Sequence, residues 1–217
     1  MKDISGSLRR DSDSIWKKIL NHPFVVELYS GTLPSEKFRF YVLQDYNYLV
    51  ADMRNFGMLA SKAPSVSETK EMLEIAHLEA TTELSGYERL LKKLGYNIED
   101  AVRVEPARIT TSYTSFLLAT SSLKTFWEAL AATVPCFWTY AEIYDHNEDR
   151  LKENKNELYV EWASVYSTRS YRELVNKMIA LLNKADVEYK KLKKLFVTSS
   201  RYEQMYWETM YSEQGSW

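Results

Sequence analysis

Six glycines and five prolines are all that punctuate 217 residues. Tight turns draw on these residues, glycine for positive φ and proline for a fixed φ. A chain with so few of them folds into long elements with short connections. The apolar spacing between the breaks is helical nearly throughout, and no stretch alternates apolar and polar residues as a half-buried strand does. Ser12 or Ser14 caps a first helix that begins at IWKKIL, and Pro23 either kinks this segment or opens a second helix. Pro34-Ser35 opens a long helix reaching about Ala63, and Ser67, with Glu68 in the first turn, opens one that ends near Gly95. A loop with Pro106 near its end leads to helices over 107–121 and 124–150. Further helices cover 155–166, 170–185 and 187–212, with breaks at Asn154 and Ser167-Thr168. Nothing marks a domain boundary, a repeat or a linker. The prediction is one all-α domain over 1–217, a bundle of seven or eight helices.

Charge and hydropathy exclude several classes. The 28 basic and 30 acidic side chains are well mixed at a net charge of −2, without the basic stripe that a nucleic-acid partner requires. The longest nearly apolar run, around Ala129 to Trp138, is too short to span a bilayer. The opening segment MKDISGSLRRDSDS lacks the apolar core of a secretory signal, and a single cysteine forms no internal disulfide. Both features fit a reducing, cytoplasmic setting. The aromatic content is high, with 16 Tyr and 6 Trp. Their polar tips need partners when buried, so they either line a polar pocket or reach the surface from a large core.

Three segments place polar groups on inward faces. In FRFYVLQDYNYLVADM, residues 38–53, Tyr41, Asp45 and Tyr48 share a helix face with Asp52, and Phe56 continues it. A buried Asp is expensive unless it is hydrogen-bonded or meets a ligand, so each acid is either satisfied structurally or part of a site. In VPCFWTYAEIYDH, residues 134–146, the lone Cys136 shares a face with Tyr140, one residue after Pro135. It is either a small apolar filler or a nucleophile, and a nucleophile needs a base nearby or a lowered pKa. In SRYEQMYWETMYSEQGSW, residues 200–217, Glu203 shares a face with Tyr206 and Met210. A metal reading rests on Glu74 and His77, spaced as Glu-x-x-His, with Glu142 and His146 as weaker partners at i, i+4.

The runs FRFYVLQDYNYL, TSYTSFLL, VPCFWTYAEI, WASVYST and SRYEQMYWETMY together resemble the TenA family, also called thiaminase II or aminopyrimidine aminohydrolase, over nearly the whole chain. The P-C-x-W-x-Y-A-E-I run resembles the branch that keeps an active-site cysteine. The resemblance implies a haem-oxygenase-like all-α fold that binds no haem, no cofactor and no metal, and a homotetramer. It implies a small-molecule pyrimidine substrate. A 4-amino-2-methylpyrimidine is hydrolysed at its 5-methylene, with ammonia or the thiazolium of thiamin as leaving group, and hydroxymethylpyrimidine returns to thiamin synthesis. It also implies roles. Cys136 is the nucleophile, Glu203 contacts a ring nitrogen and handles protons, and Asp45 accepts from the pyrimidine amino group. Tyr48 and Tyr113 flank the ring, and Tyr140 and Tyr166 lie near the leaving group. Many relatives carry Phe where Tyr48 stands, so its hydroxyl is a departure. Asp52 receives no role. Two other readings stand beside this one: a helical metal oxidase built on Glu74 and His77, and a non-catalytic pyrimidine-binding protein.

Overall fold

The computed structural model describes residues 3–212, the side chain of Thr82 excepted, so the last five residues of the 200–217 segment lie outside it. Among the described residues no strand forms, and twelve α-helices follow one another. The first three are short: α1 (Ile4–Asp11), α2 (Asp13–Leu20) and α3 (Pro23–Tyr29). Pro23 opens α3 at its first turn, where a missing N–H costs nothing. Ser12 precedes α2 but makes no side-chain cap bond, whereas Asp3 caps α1 by accepting from the Gly6 amide. α1 is an addition to the helices expected from the sequence.

Two 28-residue helices form the frame, α4 (Ser35–Lys62) and α9 (Phe126–Glu153). A capping box between Thr125 and Glu128 starts α9. Asn154 ends it and donates to the Leu28 and Tyr29 carbonyls, tying the end of α3 to the end of α9. Between the frame helices come α5 (Val66–Leu78), a π turn (Glu79–Glu83) and α6 (Leu84–Lys93). Ser65, not Ser67, caps α5. Gly95, at φ 84°, lets the chain leave α6 in the left-handed region. A short α7 (Ile98–Arg103), started by an Asn97–Asp100 capping box, occupies part of the expected loop. It is followed by α8 (Arg108–Leu123). The chain closes with α10 (Glu157–Ser164), a 3-10 turn (Val165–Ser167), α11 (Arg169–Leu182) and α12 (Tyr189–Ser212).

α9 lies against α12 along much of its length, and α4 is flanked by α5 and α8. The core has two large apolar clusters. One gathers Phe24, Tyr41, Tyr159 and Trp207, and the other Trp16, Phe56, Met72, Met178 and Phe196. A third, smaller cluster of Tyr48, Tyr113, Leu117 and Ala132 lies against α12. Cys136 is packed against the second and third clusters, at the place where the buried polar residues collect. Pro135 sits within α9, which continues on both sides of it.

Candidate active site

The inward face of α4 is buried over its full polar length. Tyr41, Asp45, Tyr48, Asp52 and Phe56 are each less than a tenth exposed. Asp45 is held by three tyrosines. The Tyr206 hydroxyl donates to Oδ1 at 3.1 Å, and the Tyr41 hydroxyl donates to Oδ2 at 3.1 Å. Tyr87 also donates to Oδ2. A carboxylate offers about four acceptor positions, so one on Oδ1 remains for a further donor. Burial lifts the Asp45 pKa to about 6 against the pull of the tyrosine hydroxyls.

From α9, Cys136 and Tyr140 reach the same region. The thiol and the Tyr113 hydroxyl both face the Glu203 carboxyl of α12. Tyr113 shares a 2.8 Å hydrogen bond with Ser199. Burial raises Glu203 to about 7. Burial and the facing carboxylates Glu203, Asp52 and Asp45 push the Cys136 thiol well above its ordinary range. The sulfur therefore carries its proton at rest, and Glu203 is the base within reach of that proton.

The Tyr48 and Tyr113 rings touch each other, with centroids 5.3 Å apart and planes tilted by 47°. Seating a pyrimidine between them requires one ring to swing away. Tyr140 packs on Tyr166 at 4.8 Å. A cavity opens beside these groups, lined by Tyr48, Asp52, Cys136, Phe137, Tyr140 and Tyr166, with Leu49, Tyr171, Glu79 and Glu83 completing the wall. Its free volume is about 40 Å³, less than a pyrimidine ring needs while the side chains stand as they do. Small-molecule sites usually enclose about 300–1,000 Å³, so a pyrimidine enters only as the tyrosine rings move apart. Asp52, raised to about 7 by burial, accepts from Asn55 at 3.1 Å through Oδ1.

All seven site residues predicted from the sequence are therefore within this one buried region, on α4, α8, α9, α12 and the 3-10 turn. Glu79, Glu83, Tyr87 and Tyr171 join them without having been singled out in the sequence. Glu79 and Glu83 stand at i+4 and i+8 from the buried Ile75, so the inward face of α5 pointed to them. The metal pattern lies elsewhere. Glu74 and His77 are exposed, Glu74 pairs with Lys177, and Glu142 is held in a bidentate pair by Arg9. Among the described residues no group of three or more His, Cys, Asp or Glu is arranged to hold a metal ion.

The chain is similar to known proteins over almost its whole length. The aminopyrimidine aminohydrolase of Bacillus subtilis is 31% identical over 98% of this chain and 91% of its own. That of Halalkalibacterium halodurans is 29% identical over 97% of this chain and 96% of its own. The structure of a TenA homologue from P. horikoshii OT3 superposes with a TM-score of 0.94 at 43% identity, covering 97% of this chain and 99% of that one. A haem-oxygenase-like domain from Shewanella denitrificans, 15% identical with a TM-score of 0.78 over 96% of this chain and 92% of that one, shares the fold. The TENA/THI-4/PQQC family model matches residues 9–214, and the chain belongs to that family.

Proposed function

We propose that this chain is a thiamin-salvage hydrolase. It converts 4-amino-5-aminomethyl-2-methylpyrimidine, with thiamin as a second substrate, to the 5-hydroxymethyl product. The observation that carries this reading is the half-buried Cys136 thiol facing Glu203 at the edge of a cavity walled by tyrosines. Relatives named aminopyrimidine aminohydrolase that match over almost the whole chain support it.

Direct displacement at the methylene is slow because the aromatic ring does not push. In this reading Glu203 takes the thiol proton, and the Cys136 sulfur adds to the pyrimidine ring. With aromaticity broken, the ring electrons expel the substituent on the 5-methylene. Water adds to that carbon, the thiolate leaves and the ring is restored. One hard step becomes several easier ones. Asp45 accepts from the ring amino group at its open Oδ1 position, which fixes the ring's orientation. Tyr48 and Tyr113 part to flank the ring, and Tyr140 and Tyr166 bound the leaving-group side. The homotetramer and the cytoplasmic setting implied by the family resemblance belong to the same reading, and sedimentation velocity checks the first.

The test is ammonia release from the aminomethyl compound, with thiamin hydrolysis run alongside, for wild type and Cys136→Ser. The expected result is turnover by wild type that collapses in the variant. Turnover surviving in the variant keeps the hydrolase and removes Cys136 as nucleophile. Failure of wild type on both substrates overturns the reading.

A further inference from the structure

The cavity wall beside Cys136 carries three carboxyls that this mechanism does not use. Asp52 comes from α4, and Glu79 and Glu83 come from the π turn between α5 and α6. Among the described residues no lysine, arginine or histidine lines the cavity to neutralise them. Asp52 is 2% exposed and Glu79 is 6% exposed. One oxygen of each, Asp52 Oδ2 and Glu79 Oε2, is buried without a hydrogen-bond partner among the described residues. Orphaned carboxyl oxygens in a dry interior are strongly unfavourable, and a site that keeps two of them on one cavity is built for a donor that arrives from outside. The remaining walls are aromatic, with Phe137, Tyr140, Tyr166 and Tyr171 around the acids. Carboxylates within an aromatic cage favour a cation.

We propose that Asp52, Glu79 and Glu83 form the leaving-group subsite of this cavity, holding the primary ammonium carried on the substrate's 5-methylene. The proposal rests on the pyrimidine hydrolase reading and specifies which leaving group that site prefers. A primary ammonium presents three N–H donors, which the three carboxyls can accept. The thiazolium nitrogen of thiamin carries no N–H and leaves those oxygens unpaired. When the Cys136 sulfur has added to the ring, the C–N bond breaks with its electron pair going to nitrogen. The nitrogen already holds its three protons and departs as neutral ammonia, while the carbon takes the ring electrons as an exocyclic double bond. The acids also suit the task electrostatically. Burial and mutual repulsion raise Asp52 and Glu83 to about 7 and push Glu79 well above its ordinary value, so an incoming cation draws them toward their charged forms. A second, outer pocket shares Glu83 and Tyr166 with the inner one and reaches past Gly86 and Glu161 toward solvent, which gives the released ammonia a way out.

The experiment compares binding of two pyrimidines that differ only at the 5-methylene, the aminomethyl compound and the hydroxymethyl product. Affinities are measured calorimetrically on the full chain in a Cys136→Ala background, where no turnover interferes. The parent is expected to bind the amine roughly tenfold to a hundredfold more tightly than the alcohol. Adding Glu79→Gln should bring the ratio close to one while leaving the alcohol's affinity within about threefold. Should Glu79→Gln fail to fold, Glu83→Gln, at a partly exposed position, carries the same comparison. Equal binding of amine and alcohol by the parent overturns the subsite alone. So does a variant in which both ligands weaken together, since that marks a purely structural residue. If neither pyrimidine binds the parent, the hydrolase reading falls and takes the subsite with it.

Discussion

Cys136 keeps its proton because the groups that face it are acidic, phenolic or apolar. A thiol in such surroundings reacts only if a base takes its proton during the reaction, and Glu203 is placed to do so. Cys136→Ser should lower kcat by roughly 10³-fold or more, with the melting temperature little changed. As the proposed base Glu203 must be ionised, and burial raises its pKa to about 7. Turnover should therefore rise between pH 6 and pH 8, and Glu203→Gln should remove both the activity and that rising limb. Tyr48 gives a contrasting case. Its buried hydroxyl makes no hydrogen bond to oxygen or nitrogen among the described residues and lies near the Cys136 sulfur, a weak acceptor. Tyr48→Phe removes that poorly satisfied group and keeps the ring. Stability after Tyr48→Phe should be unchanged or slightly higher, by about 1 kcal/mol or less, with KM within a few-fold. Helical spacing alone put Asp45, Tyr48, Tyr140 and Glu203 on inward faces, because a period of 3.6 residues is readable without a structure. The base for Cys136 was not readable that way, since it comes from a helix 67 positions further along the chain.

Among the elements, the π turn at Glu79–Glu83 links the fold to the chemistry. A π turn holds more residues per turn than an α-helix and recurs at functional sites. Here it feeds two acids into the cavity and passes the chain on to Tyr87, which holds Asp45. Deleting the exposed Ala80 should restore an α turn, which leaves α6 near its present phase but re-aims the side chains of the turn itself, Glu79 and Glu83 among them. Turnover should fall by about 10²-fold, as it does when catalytic groups are displaced by an ångström, while far-ultraviolet circular dichroism stays nearly constant. A pure stability defect has a different signature. Thr125→Ala removes the capping box of α9 far from the cavity, and it should cost about 1 kcal/mol in denaturant unfolding with kcat unchanged. The elements also show where the sequence stopped being informative. Proline, serine and asparagine marked the ends of α3, α4, α9 and α10 because each acts locally on the backbone. The π turn has no such marker, since EATTE suits an α-helix equally well and the extra residue is accommodated by packing against α4.

At the scale of the whole molecule, the site imposes a pH dependence on the fold itself. Five carboxyls are buried in one region: Asp45, Asp52, Glu79, Glu83 and Glu203. Burial raises each above its ordinary value, to about 6 for Asp45, to about 7 for Asp52, Glu83 and Glu203, and well above the carboxylate range for Glu79. In the unfolded chain these groups titrate near pH 4. Between those values the folded protein binds more protons than the unfolded chain, so the stability change with pH is negative. Their contribution is complete below about pH 4 and is lost as pH rises through 6 and 7. The chain should melt highest on the mildly acidic side and lose on the order of 5–10 °C between pH 5 and pH 8. Differential scanning calorimetry in matched ionic strength measures this directly. Asp52→Asn removes one titrating group and relieves the repulsion on its neighbours, so its melting curve should vary less with pH than that of the wild type. A bound primary amine should do the same from the other direction, by stabilising the ionised carboxyls at pH 8. A melting temperature that instead rises steadily from pH 5 to pH 8 would mean that these acids are ionised and compensated in the folded state. The cavity would then lack the uncompensated carboxyls on which the ammonium subsite depends.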